Sequence, residues 1–369
     1  MQEQRLGFVG LGGMGSSHAS NFRQLGASVV AGADVMLESR KTFASEFGAD
    51  VYENHEEMYK EEELDGVIIA TPNRFHADAA TAALRRDIHV LCEKPLADTL
   101  PNAERIVKAD SLSSAFCMVG FSKRFCGSAS LFKDLQKDEM FGEIEHVQAN
   151  MLRRRGIPGL GSWFTNKELS GGGALVDIGV HAIDFALYLA GYPEVTEVIG
   201  TIRDSQGKAE DYADPEKWGE NWDTSNTEFN VDDSVSAFLL CENGTSISIE
   251  VAWASNRDSS KEVLVSGTDA GAQLEIDGDD LHILKSGTSE MDYHEDRKLT
   301  GELEPSSHLA EDQTFLHAIQ NDTRPEINHI SEGFVVQKVM DAIYESSETG
   351  TSVQLEDSSS IAPDQSLIK

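Results

Sequence analysis

Two groups of residues could move protons. Glu93-Lys94-Pro95 closes the apolar run Ile88-His89-Val90-Leu91-Cys92, and Asp177, His181 and Asp184 follow Gly171-Gly172-Gly173. A lysine partly withdrawn from water beside a cationic ring loses basicity and can then polarise or deprotonate a hydroxyl. Pro95 fixes the main chain, and Glu93 either holds the lysine or reaches a ribose. Taken alone, a Glu-Lys pair reads equally well as an ion pair at a strand end. The second group shifts that balance. On an α-helix, positions 177, 181 and 184 stand at i, i+4 and i+7 and share a face, while the remaining positions are largely Leu, Ile, Val, Phe and Ala. Ionisable groups on a buried stripe need partners, and a polar substrate supplies them. His181 would then exchange the proton. Asp177 would accept from a substrate hydroxyl, and Asp184 would support the pair from behind. Two other readings stay open. His181 could be a core histidine satisfied by its neighbours, or it could form a metal site with Asp177, whose spacing suits ligation although no third ligand is evident.

Such groups need strand ends and a helix to hold them. Apolar strands at 6–10, 28–33, 66–70, 88–92 and 115–120 alternate with amphipathic helices at 14–25, 37–47, 77–86 and 102–109. That rhythm predicts a doubly wound parallel sheet. Gly10-x-Gly12-x-x-Gly15 follows the first strand and opens a helix. Its glycines allow a tight turn and close approach of a pyrophosphate, so Gly10, Gly12, Gly13, Met14 and Gly15 form a dinucleotide turn. Asp34 lies nineteen positions beyond Gly15 at the end of the second strand. An acid there binds the adenosine ribose and repels a 2′-phosphate, which favours NAD. Arg40 lies close enough in sequence to keep NADP possible. Thr71, Pro72, Asn73 and His76 follow the strand at 66–70 and would run along the cofactor, although Thr-Pro also simply starts helices.

Beyond residue 123 the pattern turns to longer alternating strands at 143–154, 234–240, 245–254, 262–267 and 272–277, with helices at 180–190, 309–320 and 331–347. An Asn-Gly turn at 243–244 joins the second and third of these strands. The expected architecture is α/β: an N-terminal Rossmann domain over residues 1–123, then a substrate-binding and oligomerisation α+β domain over 124–369 with a large, mainly antiparallel open sheet. The open face or strand edges would serve a homo-oligomer. The polar stretch 203–230 reads as a long irregular loop, and the tail 357–369 as frayed.

Composition narrows the class. Sixty-four acidic against 30 basic residues give a net charge of −34, which repels nucleic acid and leaves no basic stripe to bind it. Such an excess, spread along the whole chain, is a solvated acidic surface, and it suits a salt-rich cytoplasm where screening makes self-repulsion cheap. No apolar run approaches the ~18 residues of a membrane span, and no secretory leader is apparent. Cys92, Cys117, Cys126 and Cys241 lack metal-ligand spacing and read as buried thiols.

The ordered set comprises Gly10-x-Gly12-x-x-Gly15, Ala70-Thr71-Pro72, Glu93-Lys94-Pro95 and Gly-Gly-Gly-x-x-x-Asp177-x-Gly-x-His181-x-x-Asp184. It resembles the Gfo/Idh/MocA oxidoreductases, the glucose–fructose oxidoreductase and inositol dehydrogenase family, over essentially the whole chain. Trp163, Asp233 and Trp253-Ala254 also fit. The resemblance implies catalysis by Lys94, Asp177 and His181, with hydride passing between a sugar, sugar acid or cyclitol carbon and a nicotinamide. It implies Arg124, Arg154 and Trp163 along the substrate pocket and a homodimer or homotetramer; the lack of an apparent leader departs from the family's periplasmic branch with permanently bound cofactor, and so points to a freely exchanging cofactor in the cytoplasm. The same scaffold would also serve an NAD-dependent glycosidase or a non-catalytic dinucleotide sensor, although a sensor has no need of the proton-transfer set.

Overall fold

The computed structural model describes residues 3–209, 212–213, 229–287, 292–301 and 306–355. Six strands form the first sheet: β1 (Arg5–Val9), β2 (Ser28–Ala33), β3 (Asp50–Tyr52), β4 (Gly66–Ile69), β5 (His89–Glu93) and β6 (Cys117–Gly120). All pair in parallel, in the order β3-β2-β1-β4-β5-β6. Parallel strands need crossovers, supplied by α1 (Gly13–Gln24), α2 (Leu37–Phe47), α3 (His55–Glu61), α4 (His76–Leu84) and α5 (Leu100–Leu112). Helices cover both faces, so β4 and β6 are buried at every residue. The order reverses between β1 and β4, and the crevice at their carboxyl ends is where such sheets bind nucleotides.

The second half begins with α6 (Gly127–Lys137), β7 (Ile144–Leu152), α7 (Lys167–Ser170), α8 (Val180–Ala190) and β8 (Val195–Arg203). It continues through β9 (Ser234–Cys241), β10 (Ser246–Ala252), β11 (Glu262–Gly267), β12 (Gly271–Glu275), β13 (Asp280–Gly287) and β14 (Tyr293–Thr300). It ends with α9 (Ser307–Asn321), α10 (Ile330–Thr349) and β15 (Val353–Gln354). Nine strands form one sheet in the order β14-β13-β12-β11-β7-β10-β9-β8-β15, antiparallel except where β7 meets β10. Strand alternation sends Val235, Ala237 and Leu239 into the core and leaves Phe238 and Leu240 exposed on the other face, with Ile199 of β8 beside them.

Several elements lie outside the sequence expectation, each for a physical reason. β14 reads Tyr-His-Glu-Asp-Arg-Lys-Leu-Thr and is exposed along nearly its whole length, so no apolar alternation marks it. β8 carries a glycine in mid-strand, and β3 is only three residues long. α9 departs furthest. It belongs to the second half by sequence, yet Phe315, Leu316, Ala318 and Ile319 join Leu6, Phe8, Phe22 and Phe116 in one cluster beneath the first sheet. Most of the long polar loop, and the tail 357–369, lie outside the described residues. All four cysteines are buried and unpaired.

Candidate active site

The glycine turn is built by close approach. Gly10 has φ +88°, and a Cβ there would meet the Ala70 carbonyl at 2.6 Å; a Cβ on Gly15 would stand 2.0 Å from the Gly10 carbonyl oxygen. Gly12 and Gly13 face open space, so the start of α1 offers its free N–H groups to an anion. The Asp34 carboxylate is anchored by the N–H groups of Leu11 (2.8 Å) and Met36 (2.7 Å), which fixes it at the rim of the crevice. Arg40 lies under the same strand end, its guanidinium on the Asp34 carbonyl at 2.6 Å.

The cleft between the two halves is lined by Met14, Thr71, Asn73, Glu93, Lys94 and Pro95 from one side, and by Trp163, Phe164, Val176 and Asp177 from the other. Asn73 donates to the Ser170 carbonyl at 2.7 Å and ties the halves together. Thr71 Oγ1 is buried and has no partner among the described residues, which leaves it for a ligand. Pro72 sits in the loop outside this lining. His76 does not reach the cleft as expected. It is 1 % exposed, with its ring nitrogens 2.9 Å from the carbonyls of Pro95 and Thr71, so it clamps two cleft loops from behind.

Lys94 and Asp177 meet directly. The ammonium donates to the Asp177 carbonyl at 2.8 Å and to its carboxylate at 3.3 Å, and the Trp253 indole N–H holds the other carboxylate oxygen at 2.9 Å. Trp253 is wholly buried at the end of β10. The sequence placed it in the framework without a role; the clue was an indole whose N–H must find an acceptor once buried.

The stripe of three polar groups needs correction. Leu175–Gly179 is a π-helical turn leading into α8, not a regular α-turn. The wider turn breaks the shared face expected of i, i+4 and i+7 positions. Asp177 points to Lys94, whereas Asp184 points away and binds Arg124. Asp232, which the sequence did not single out, pins this turn. Its carboxylate accepts from the N–H groups of Gly173 and Leu175, both at 2.8 Å, and from the Tyr344 hydroxyl at 2.6 Å. The glycine run allows that packing: a Cβ on Gly172 would stand 2.0 Å from the Tyr344 oxygen, and one on Gly173 1.9 Å from the Asp232 carbonyl oxygen.

His181 is buried, and its Nδ1 has no partner among the described residues. Burial pushes its pKa well below the ordinary value, and the positive charges of Lys94, Lys123 and Arg153 push it further. Both effects hold the imidazole in its neutral form.

Two arginines fall elsewhere than expected. Arg124 is fully buried against Asp184 (2.5 Å) and Glu332 (2.6 Å), donates to the Tyr192 hydroxyl, and lies about 5 Å from the rings of Phe121, Tyr188 and Tyr192. Burial acts to lower its pKa, but the charge of Asp184 outweighs that and holds it well up. It braces α8 and does not line the cleft. Arg154 points to solvent, 68 % exposed and 3.7 Å from Asp258. Chain alternation turns its neighbour Arg153 inward instead, within electrostatic reach of Asp177 and His181. Trp163 lies in the cleft as expected, stacked on Phe164 with ring centroids 3.9 Å apart.

Fold and site together define a two-domain, dinucleotide-binding oxidoreductase. Residues 4–121 match the model for an oxidoreductase family with an NAD-binding Rossmann fold, and residues 131–273 match the GFO/IDH/MocA C-terminal domain; the chain belongs to this family. It is 30% identical over 357 residues to the D-glucoside 3-dehydrogenase of Escherichia coli (strain K12), spanning 95% of this chain and 97% of that one. A D-xylose 1-dehydrogenase [NADP(+)] from Haloarcula marismortui is 27% identical over 338 residues, covering 87% of this chain and 85% of the relative. The solved structure of a levoglucosan dehydrogenase in complex with NADH superposes with a TM-score of 0.82 at 23% identity, covering 96% of this chain and all of that one, and so shares the fold.

Proposed function

We propose that this protein oxidises a secondary hydroxyl of a sugar to a ketone, passing hydride to NAD and releasing a proton. NAD, when bound, supplies the hydride acceptor. The observation that carries the proposal is the pairing of the Lys94 ammonium with Asp177 in the cleft, with a neutral, buried His181 within electrostatic reach of Lys94, its Nδ1 without a partner among the described residues. In this arrangement Lys94 polarises the reacting hydroxyl and His181 takes its proton. Asp177, held by Trp253, fixes the lysine and orients the substrate. Thr71, Asn73 and Glu93 bind the nicotinamide half of the cofactor, and Trp163 offers an apolar face to the sugar ring. The similarity to a D-glucoside 3-dehydrogenase along nearly the whole chain supports a pyranoside oxidised at ring carbon 3.

NAD is preferred to NADP, because a fixed Asp34 carboxylate repels a 2′-phosphate. Arg40, already seated at that strand end, is the cation on which NADP acceptance would be built. The exposed Ile199, Phe238 and Leu240 on the open sheet face support a homo-oligomer contact there. The test is NADH formation in molar KCl over glucosides, free aldoses, sugar acids and inositols. NADH formed with glucosides, and a 3-keto product, supports the proposal. Release of free sugar without net NADH would select the glycosidase alternative, and NAD binding without turnover on any substrate would select a sensor.

A further inference from the structure

Behind Glu93 lies a buried run of ionisable groups that the hydride chemistry does not use. His18, on the second turn of α1 and 1 % exposed, places Nε2 3.0 Å from Glu93 Oε1 and Nδ1 2.6 Å from Asp312 Oδ1 on α9. Asn21 donates to the other Asp312 oxygen at 2.8 Å, and the second Glu93 oxygen accepts the Lys94 main-chain N–H at 3.1 Å. A neutral imidazole has a single N–H, so it would satisfy one carboxylate and turn a lone pair on the other. Only the doubly protonated ring donates to both. Burial opposes each charge, but the carboxylates raise His18 well above its ordinary pKa, and His18 brings Glu93 below the usual carboxylate value. The other groups facing this run are Lys94, His76 from α4, Lys123, and His308 and Glu311 from α9. Glu311 has one unpartnered oxygen, and burial pushes its pKa well up, so it adds no charge.

We infer that His18 is a positioning residue for cofactor binding: as an imidazolium braced by Asp312, it keeps the Glu93 carboxylate ionised and fixed on the cleft wall, facing the nicotinamide ribose and the positive ring of the oxidised cofactor. The helix that receives the pyrophosphate at its N-terminus thus also sets the charge at the nicotinamide end. The inference rests on the dinucleotide site proposed above, and on no particular substrate.

The test has two arms. In the first, dissociation constants for NAD and NADH are measured from pH 5.5 to 8.5 for the unaltered protein, His18→Gln, Glu93→Gln and the double variant. Without His18, burial is left less opposed and favours the protonated form of Glu93, most at the acid end of this range. His18→Gln should therefore weaken NAD binding about tenfold at the acid end and much less at the alkaline end, with NADH less affected throughout. Glu93→Gln should weaken NAD at every pH, and adding His18→Gln to it should cost nothing more. An equal loss from His18→Gln with and without Glu93, flat with pH, would overturn the inference. Asp312→Asn, which keeps a hydrogen bond to the ring but removes its charge, should act in the same direction and serves if His18→Gln does not fold. In the second arm, imidazole nitrogen NMR of the cofactor-free protein should show His18 doubly protonated at pH 7; a single proton there overturns the inference as well. If the unaltered protein binds no nicotinamide dinucleotide, the oxidoreductase proposal fails, while the NMR arm still decides the state of His18.

Discussion

Two clusters flank the same helical segment with nearly the same ingredients. At one end, Lys94, Asp177 and the Trp253 N–H meet at the cleft; seven residues beyond Asp177, Arg124, Asp184 and the Tyr192 hydroxyl meet in the interior. Each joins a cation, an aspartate and an aromatic donor. They differ in what is left over. The Arg124 guanidinium is spent on Asp184, Glu332 and Tyr192, with no side-chain exposure. The Lys94 ammonium keeps 18 % of its side chain exposed, and among the described residues the Thr71 hydroxyl of the same cleft and the buried His181 Nδ1 have no partner. Residue type does not separate a site from a brace; unspent hydrogen-bonding capacity facing a cleft does.

The contrast can be broken by mutation. Lys94→Ala should lower kcat by about 10³-fold while NAD binding, followed by fluorescence titration, persists. Retained turnover would remove the lysine from the chemistry. Arg124→Ala strands buried carboxylates and should cost about 3–5 kcal/mol in denaturant unfolding, while activity per folded molecule is kept. If instead stability held and the Michaelis constant rose, Arg124 would belong to the substrate pocket after all. Trp253→Phe removes one bond to the Asp177 carboxylate and should reduce kcat/KM about tenfold, with a modest fall in Tm because a wholly buried indole gives way to a smaller ring.

His181 gives a signature in pH. Its folded pKa is depressed below the ordinary 6.5, so the unfolded chain takes up a proton that the native state refuses. Its contribution is neutral above about pH 7 and becomes destabilising as pH falls below 6.5, at up to about 1.4 kcal/mol per pH unit. His181→Asn should flatten that part of the unfolding profile, and an unchanged slope would mean the imidazole is already charged. The smallest effect belongs to Arg154→Ala: within about 0.5 kcal/mol in stability, and kinetically silent.

What the sequence made legible follows the same division. The glycine turn, Lys94 and Asp177 announce themselves because local spacing and strand ends dictate their positions. The direction of Asp184 is hidden because the π-helical turn at 175–179 offsets Asp177 from the stripe that a regular helix would give, and its partner Arg124 lies sixty residues away. Arg153 turns inward and Arg154 outward because side chains alternate, and nothing in three consecutive arginines tells which one faces inward. Asp232 and Trp253 act through contacts made at long range. α9 reads as an ordinary amphipathic helix, and only packing shows which sheet it serves.

That helix carries a consequence for synthesis. The aromatic cluster of Phe8, Phe22, Phe43 and Phe116 is closed by Phe315, whose ring lies 6.1 Å from that of Phe22 and 5.8 Å from that of Phe116. On the ribosome, the amino-terminal domain therefore waits, its underside uncovered, until some three hundred residues have been made, and an excised fragment 1–123 should aggregate where the full chain folds. The nucleotide domain comes first in the chain and is among the last to be finished.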